Sequence, residues 1–258
     1  MRDIIELKEF IKHLASLSQK EILKYFRTDV SIDLKSDNSP VTIADKNTEE
    51  LIRKKIERKY PSHGILGEEF GEINSTAEYK WVIDPIDGTK SFICGSVLFG
   101  TQIALLKNSL PILGAINFPA LNQFLIGDNN SAQINDKNVC VRNCSSISEA
   151  VLLTGDYLNI KKYQNISAFN YLIKKVKLYR GWGDCYGYYL LASGFADVMI
   201  DPIMSLWDSL PLIPIIKGAG GTITDYQGND AVNGESIVAS NAEIHSEVIE
   251  LLNINPVE

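Results

Sequence analysis

Two aspartates in the segment at 80–92, KWVIDPIDGTKSF, have the residue types and spacing of a site that binds hard cations. Asp84 ends an apolar run that is typical of a buried strand, and Asp87 follows three residues later. Pro85 restricts the backbone between them, so that both carboxylates and the carbonyl oxygen of Ile86 can converge on the same ions. Mg²⁺ and related cations prefer oxygen ligands of this kind.

The two residues that follow, Gly88 and Thr89, could bind a phosphate group beside those ions. Glycine has no Cβ and lets the backbone approach a ligand closely. If these residues open a helix, their N–H groups point at an anion, and the threonine hydroxyl could orient a water molecule. The alternative is an ordinary turn, because Asp, Pro and Gly also favour turns for backbone reasons.

Further carboxylates follow apolar runs elsewhere in the chain. Asp45 follows a short apolar segment, Glu68 and Glu69 end a strand-like run, and Asp208 follows a tryptophan. The histidines are scattered: His13, His63 and His245. Carboxylates gathered without histidine or thiol ligands select Mg²⁺, Mn²⁺ or Ca²⁺ rather than zinc. The sequence therefore predicts one acidic cleft built at the ends of several elements.

Rival interpretations of the same residues fail on spacing. An EF-hand loop starting at Asp84 would need oxygen-bearing side chains where the chain has Ile86 and Gly88. A haloacid-dehalogenase phosphatase would need Asp-x-Asp-x-Thr near the N-terminus, and this motif is one residue longer and comes later. The glycine clusters at 181–187 and 218–221 match no nucleotide-binding motif and are typical of tight turns and helix ends.

Composition limits the possible function classes. With 258 residues, 45% apolar content and 22% charged content, the chain is an ordinary globular protein in composition. A net charge of −7 argues against a nucleic-acid partner. The basic triplet at 53–55 is interleaved with Glu49 and Glu50, which predicts a solvated helix face. No segment has the apolar length of a membrane span, and the N-terminal segment does not have the pattern of a signal peptide.

Four cysteines lack the spacing of a metal site and are predicted to be reduced thiols: Cys94, Cys140, Cys144 and Cys185.

Hydrophobic periodicity predicts alternating helices and strands, and hence a layered α/β fold. Helices are predicted at 4–26, 46–59, 163–175, 185–193 and 206–217, and from 242 onwards. Strands are predicted at 63–67, 81–83, 101–106, 111–118, 123–126, 151–154, 176–179, 198–200, 222–225 and 237–239. The polar stretch at 128–138 is predicted to be the boundary between an N-terminal lobe, 1–138, and a C-terminal lobe, 139–258.

Taken together, these motifs resemble the inositol monophosphatase superfamily of Mg²⁺-dependent, Li⁺-sensitive phosphatases. The matching pieces occur in the family's order, at 39–45, 67–69, 81–89, 207–208 and 218–225. The resemblance implies an α-β-α-β-α sandwich of the inositol monophosphatase and fructose bisphosphatase type. It also implies hydrolysis of a phosphate monoester by a water that two or three Mg²⁺ ions activate, with Mn²⁺ as a possible substitute.

The resemblance assigns roles residue by residue. The implied metal ligands are the side chains of Glu68, Asp84, Asp87 and Asp208 and the carbonyl group of Ile86. Thr89 and Asp45 would form a hydrogen-bonded pair that helps Glu68 activate the attacking water. Gly88 and Thr89 would bind the phosphate.

Substrate choice is predicted to depend on the C-terminal lobe. The segments at 181–186 and 87–92, together with Asp201, resemble the histidinol-phosphate phosphatase branch. Histidinol phosphate carries an ammonium and an imidazole group, and carboxylates at Asp184 and Asp201 would complement that charge. Alternatively, Asp184 caps a helix and Asp201 begins a turn. Cys94 replaces the basic or larger residue expected after the 87–92 segment.

Two other functions remain open at this stage. An inositol-1-phosphate phosphatase, or another phosphatase of the superfamily, would use the same metal residues, and the carboxylate of Asp201 would then accept hydroxyl hydrogen bonds. From a different class, the chain could be a catalytically silent binding module. The resemblance also implies a cytoplasmic homodimer whose only other partner is a small phosphate ester, in histidine biosynthesis. The position of the segment at 67–80, around Glu68, suggests the hypothesis that it is mobile, and the sequence leaves open whether it closes over the site.

Overall fold

The structure, a computed structural model, describes residues 2–34 and 40–255. The helices are α1 (Arg2–Ile22), α2 (Ile43–Lys59), α3 (Thr89–Ile93), α4 (Tyr157–Tyr163), α5 (Ile166–Lys175), α6 (Asp184–Ala192), α7 (Leu206–Ser209), α8 (Leu212–Gly218) and α9 (His245–Asn253). The first ten strands are β1 (Ile32–Leu34), β2 (Pro40–Thr42), β3 (Gly64–Gly67), β4 (Gly71–Ile73), β5 (Tyr79–Asp87), β6 (Gly100–Lys107), β7 (Leu110–Phe118), β8 (Gln123–Gly127), β9 (Ala132–Ile134) and β10 (Lys137–Val139). The remaining strands are β11 (Val151–Thr154), β12 (Leu178–Arg180), β13 (Val198–Asp201), β14 (Gly221–Thr224) and β15 (Ile237–Asn241).

The described residues form two large sheets, the first from strands β3–β10 and the second from strands β11–β15. The first has the order β10-β9-β8-β7-β6-β5-β3-β4 and is antiparallel except where β3 pairs with β5. The second has the order β12-β11-β13-β15-β14, with parallel pairs around β11 and antiparallel pairs around β15. A separate small ribbon joins β1 and β2.

Five layers result from the two faces of each sheet. Helices α1 and α2 cover the outer face of the first sheet, α6 and α8 lie between the sheets, and α5 and α9 cover the outer face of the second. Strand alternation produces this arrangement: Trp81 and Ile83 pack against α1 and α2, whereas Val82 faces the middle layer. The predicted α-β-α-β-α sandwich is confirmed.

The middle layer joins the two halves of the chain. Its core includes Val82 and Ile116 from the first sheet and Leu153 and Met199 from the second. The two sheets therefore share one core, and the lobe boundary at 138 stays a prediction.

A bulge in β5 orients the two aspartates of the opening motif. Asp84 is opposite Gln102 and Asp87 is opposite Gly100, so β5 has one more residue here than its neighbour. Residues three apart on a straight strand point to opposite faces, and one extra residue brings them to the same face. Pro85 lacks an N–H and therefore fits at this break in the ladder.

Some element predictions were wrong in detail. The helix predicted at 163–175 starts at Ile166, because Asn165 is its N-cap and its side chain accepts hydrogen bonds from Ser167 and Ala168 N–H. Helix α4, which comes before it, was not predicted. The predicted helix at 206–217 is divided into α7 and α8, with Pro211 at the N-cap of α8.

The predicted loop at 128–138 contains β9 and the start of β10. Asn135 and Asp136 form its two-residue turn with φ of 46° and 66°. These are the dihedral angles of a hairpin turn that Asn and Asp tolerate.

The predicted solvated face around 53–55 is also wrong at two positions. Glu49 is 0% exposed and Arg53 is 7% exposed, and they form an ion pair inside the protein. Their neighbours Glu50 and Lys54 are exposed, as predicted.

All four cysteines, which fall within the described residues, are free thiols. Across residues 2–34 and 40–255, no helix combines the length and the apolar character needed to cross a membrane.

His245 is buried as a neutral side chain, and this makes stability depend on pH. Its Nδ1 lies 2.8 Å from Ser240 Oγ and its Nε2 lies 3.0 Å from Thr224 Oγ1, while burial lowers the pKa of His245 to about 4. The unfolded chain therefore binds more protons between about pH 6.5 and pH 4, and stability is lost as the pH falls through that range. We expect His245→Gln to reduce the slope of unfolding free energy against pH by at most about 1.4 kcal/mol per pH unit.

Urea denaturation of the wild-type protein and the variant from pH 7 to pH 4.5 measures this slope. His13→Gln, at an exposed position, is the matched control and should leave the slope unchanged. An equal slope in wild-type protein and His245→Gln would contradict the prediction.

Candidate active site

A cavity of about 450 Å³ opens between the bulge of β5, the start of α6 and the start of α7. Carboxylates from several elements line it: Glu68, Asp87, Asp156, Asp184, Asp201 and Asp208. Gly88 and Thr89 line the same cavity. Most of the residues that the sequence predicts for chemistry are therefore brought to one place.

Three of the predicted metal ligands form a compact cluster. Carboxylate oxygens of Asp84, Asp87 and Asp208 all lie within 4.8 Å of one another. The bulge supplies the first two, and α7 supplies the third from across the middle layer. Four-residue helix α7 begins with a capping box, in which the N–H of Ser205 donates to Asp208 Oδ2 at 3.0 Å. Asp87 Oδ2 accepts the backbone N–H of Cys185 at 2.5 Å.

The cluster has the electrostatics of a cation site. Burial raises the pKa of Asp84, and the charges of Glu68, Asp87 and Asp208 raise it further. Burial likewise raises the pKa of Asp87, and it raises that of Asp208 to about 6. Carboxyl groups that are this hard to ionise are stabilised in their charged form by a bound cation.

The donor set fits a divalent metal ion such as Mg²⁺. Asp84 is 2% exposed, and its Oδ1 has no hydrogen-bond partner in the part of the chain that the structure describes. A buried carboxylate oxygen without a donor is costly unless a cation completes its environment. The cluster offers only oxygen atoms, which favours a hard cation.

Glu68 lies at the end of β3, beside the cluster. Its N–H donates to the carbonyl oxygen of Ile83 at 3.2 Å, which continues the pairing of β3 with β5. The charge of Glu68 also raises the pKa of Asp84, although burial is the larger cause. Glu69, to which the resemblance assigns no role, is not among the described residues that line the cavity.

The predicted hydrogen bond between Thr89 and Asp45 is not the one that the structure shows. Thr89 Oγ1 donates to the carbonyl oxygen of Ile86 at 3.0 Å. Asp45 Oδ2 accepts from the N–H of Thr42 at 2.7 Å and from its hydroxyl at 2.6 Å, in the capping box of α2. A hydroxyl has one proton to donate, so Thr89 cannot donate to Asp45 in this conformation. Burial raises the pKa of Asp45 to about 6, and the charge of Glu68 adds to the shift.

Gly88 has the backbone conformation that its position requires. Its φ is 82°, and a Cβ there would lie 3.0 Å from the carbonyl oxygen of Leu98 and 3.1 Å from Asp184 Oδ2. Gly88 precedes α3, whose first N–H groups have no intrahelical acceptor. The segment that was predicted to bind phosphate therefore faces the cavity beside Asp184.

Asp184 and Asp201 both lie next to Gly155 in the wall of the cavity. A Cβ at Gly155 would lie 3.0 Å from Asp201 Oδ1 and 3.8 Å from Asp184 Oδ1. Asp184 is the first residue of α6 and has a φ of 51°, in the left-handed region that side chains rarely adopt. Its Oδ2 is 3.5 Å from Ser91 Oγ.

Asp201 is held at the end of β13 by two donors. Tyr188 Oη donates to Oδ2 at 2.9 Å, and the N–H of Gly155 donates to Oδ1 at 3.3 Å. Burial raises the pKa of Asp201 to about 7, although the hydrogen bond from Tyr188 lowers it. Both aspartates line the cavity, and Gly183 rather than Asp184 is the N-cap of α6.

Sequence reasoning missed several residues of this cavity. Tyr188 and Gly155 bind Asp201, and Lys90 and Asp156 line the wall with their charged atoms 4.0 Å apart. No local pattern identifies them, because they meet only when the second sheet is formed. Cys94, which was expected to affect the pocket, is exposed and is not among the described residues that line it.

Comparison with known proteins agrees with this geometry. Residues 3–256 match the family model described as the inositol monophosphatase family. A histidinol-phosphatase of Chlorobaculum parvum is 43% identical over 235 residues, or 88% of this chain and 89% of that protein. The protein named bifunctional phosphatase IMPL2, chloroplastic, of Arabidopsis thaliana is 41% identical over 93% of this chain and 72% of its own length. Among solved structures, an inositol monophosphatase from Zymomonas mobilis has a TM-score of 0.85 and 31% identity, covering 95% of this chain and 97% of that one.

Removal of one buried charge from the cluster tests its role as a cation site. We expect Asp84→Asn to raise the melting temperature in metal-free buffer at about pH 8, because it relieves repulsion among crowded carboxylates. Mg²⁺ at a hundred times its Kd should stabilise the wild-type protein by about 2.7 kcal/mol, and Asp84→Asn should lose most of that gain.

Thermal unfolding with and without Mg²⁺ measures both effects. The exposed carboxylate of Asp136 gives a matched control, since Asp136→Asn should keep the full Mg²⁺ gain. Equal Mg²⁺ stabilisation of wild-type protein and Asp84→Asn would exclude this cluster as the cation site.

Proposed function

This chain belongs to the inositol monophosphatase family, and we propose that it hydrolyses L-histidinol phosphate to L-histidinol and phosphate with the help of Mg²⁺. The observation that carries the proposal is the pair of carboxylates at Asp184 and Asp201, which face one glycine in the wall of an acidic cavity. Histidinol phosphate is a cationic alcohol esterified with phosphate, so it needs a phosphate site and a negatively charged wall.

The acidic cluster would hold the metal ions. Glu68, Asp84, Asp87 and Asp208 with the Ile86 carbonyl group are the proposed ligands. Two or three Mg²⁺ ions, or Mn²⁺ in their place, would neutralise the phosphate ester and acidify a water molecule. This chain contributes geometry: the bulge and the α7 capping box fix carboxylate directions before substrate binds.

Glu68, Thr89 and Asp45 are proposed to position the attacking water. Glu68 is the general base in this assignment, and the Thr89 hydroxyl lies at the same wall of the cavity. Thr89 Oγ1 would have to turn away from the Ile86 carbonyl oxygen in order to donate to Asp45. Asp45, which lies near enough for Glu68 to raise its pKa, is then the acceptor available to Thr89.

The phosphate would be bound by the backbone N–H groups of Gly88 and Thr89 at the start of α3. On this side of the cavity Lys90 and Ser91 are also exposed to a ligand. The alcohol part of the substrate would then extend towards Gly155, since Asp184 lies between the two glycines.

The carboxylates in the cavity wall at Asp184 and Asp201 favour binding of a cationic alcohol over a neutral polyol. Asp201 is 8% exposed, and its raised pKa shows that the protein holds the ionised form at a cost. An ammonium or imidazolium group beside it would recover that cost through a charge-assisted hydrogen bond. The similarity to a histidinol-phosphatase over most of the chain supports the same choice.

A role in histidine biosynthesis, a cytoplasmic location and a homodimer are further parts of the proposal that rest on the family resemblance. Size-exclusion chromatography with light scattering would test the dimer directly.

A substrate panel tests the proposed reaction. We expect Mg²⁺-dependent phosphate release with a kcat/KM for L-histidinol phosphate at least tenfold above that for inositol 1-phosphate, fructose 1,6-bisphosphate and adenosine 3′,5′-bisphosphate. Tenfold corresponds to about 1.4 kcal/mol of transition-state discrimination. Preference for inositol 1-phosphate would overturn the assignment of Asp184 and Asp201 and leave the metal site in place. No turnover of any ester would indicate a binding module.

A substitution at Asp201 tests the charge argument. Asp201→Asn keeps an acceptor for Tyr188 but cannot balance a cation, so we expect kcat/KM for histidinol phosphate to fall at least about tenfold. The value for inositol 1-phosphate should change by less than about threefold, because a polyol needs hydrogen bonds only. Glu247→Gln on the exposed surface of α9 is the control. Equal losses for both substrates would contradict charge recognition at this residue.

A further inference from the structure

A buried ion pair from α2 holds the turn that carries Glu68. Glu49 and Arg53 are one helical turn apart, and Arg53 Nε donates to Glu49 Oε1 at 2.7 Å. Glu49 is 0% exposed and Arg53 is 7% exposed. Burial of two charges is costly unless the remaining donors and acceptors are satisfied, so the other contacts of this pair are informative.

Those contacts are backbone groups of the turn between β3 and β4. Glu49 Oε2 accepts the N–H of Glu69 at 2.7 Å, and Glu49 Oε1 accepts the N–H of Phe70 at 3.2 Å. On the other side, Arg53 Nη2 donates to the carbonyl oxygen of Gly71. The pair therefore binds three consecutive residues of the turn.

The turn is shaped to admit the pair. A Cβ at Gly67 would lie 2.0 Å from Glu49 Oε1 and 2.9 Å from Arg53 Nη2. Glu68, the next residue, donates its N–H to Ile83. Its backbone is thus fixed by strand pairing before it and by the ion pair after it.

Apolar packing offers this turn little support. Phe70 is 51% exposed, and all three residues of β4 are exposed. The polar contacts from α2, together with the pairing of β3 with β4, restrain the chain on the far side of Glu68. Asp45 lies one helical turn before Glu49 on the same helix and is also buried. The two side chains therefore lie on the same face of α2.

We propose that Glu49 and Arg53 are positioning residues, which direct the Glu68 carboxylate towards the Asp84, Asp87 and Asp208 cluster. They touch neither substrate nor metal and act through the backbone of residues 69–71. The inference rests on the proposed function in one respect, since it takes Glu68 as a metal ligand. Partners that orient metal ligands typically contribute 10–100-fold to metal affinity.

Calorimetric titration of substrate-free protein with Mg²⁺ tests the proposal. We expect Glu49→Gln to weaken Mg²⁺ binding at least about tenfold, because glutamine removes the charge and one acceptor of the turn. Arg53→Lys keeps the charge but loses the planar guanidinium contacts and should weaken binding in the same direction. This second variant also serves if Glu49→Gln does not fold.

The chain offers a matched control one residue further along α2. Glu50 and Lys54 have the same spacing and an Nζ–Oε1 distance of 2.5 Å, but their side chains are 54% and 66% exposed. Glu50→Gln should change Mg²⁺ affinity by less than about twofold, as exposed helix pairs contribute little.

A double-mutant cycle separates positioning from general destabilisation. If the pair acts through Glu68, then adding Glu49→Gln to Glu68→Gln should cost less than about twofold further in Mg²⁺ affinity. Full additivity of the two losses would show that the pair only supports the fold, and it would overturn the proposal. All titrations are made at least 15 °C below the melting temperature of each variant, so that every protein is folded.

Kinetics then distinguish this proposal from the proposed function. At saturating Mg²⁺, Glu49→Gln should lower kcat and leave the substrate KM within about twofold, because the substrate wall belongs to the second sheet. Wild-type affinity for Mg²⁺ in both Glu49→Gln and Arg53→Lys would overturn the positioning role and leave the phosphatase assignment intact. A wild-type protein without turnover would overturn the assignment, whereas the Mg²⁺ titrations would still decide the role of the pair.

Discussion

Repulsion among buried carboxylates is the constraint on which the rest of this structure depends. Unit charges about 4 Å apart repel by roughly 4 kcal/mol at an effective dielectric constant near 20, and the oxygens of Asp84, Asp87 and Asp208 lie within 4.8 Å of one another. An unconstrained chain would separate them. Each side chain is therefore held in place by local contacts. The electrostatic cost of bringing the carboxylates together is offset only when a cation binds between them.

These contacts come from three different elements. A one-residue bulge brings Asp84 and Asp87 to one face of the first sheet, a capping box holds Asp208 at α7, and the first turn of α6 supplies an N–H to Asp87. None of these elements could build the site alone. The layered fold is needed because it brings a sheet and two helix starts to the same point, and the shared middle core keeps them there.

Sequence reasoning identified those site residues that lie close together in the chain. Asp84, Asp87 and Gly88 lie within one contiguous motif, and their placement at the site follows from a strand, a proline and a glycine. Glu49 and Arg53 were missed because a Glu–Arg pair spaced one helical turn apart has the same pattern on a surface as in a core. Burial distinguishes the two cases, and burial depends on the turn that covers them.

The hydrogen bond of Thr89 could not be predicted for a related reason. Its hydroxyl could donate to the Ile86 carbonyl oxygen or to Asp45, and the choice depends on distances that spacing does not give. The hairpin turn at Asn135 and Asp136, by contrast, had a recognisable signal, since both residue types tolerate positive φ.

In the proposed assignment the two specificity residues differ in how closely they are connected to the metal cluster. Asp201 is held by Tyr188 and Gly155, so a change at Asp201 leaves the hydrogen bonds that hold Asp87 and Asp208 in place. Asp184 lies between Gly88 and Gly155 and is directly followed by Cys185, whose N–H binds Asp87. A change at Asp184 would therefore act on the phosphate segment, the metal cluster and the alcohol wall together, which makes Asp201 the position where selectivity alone can be tuned.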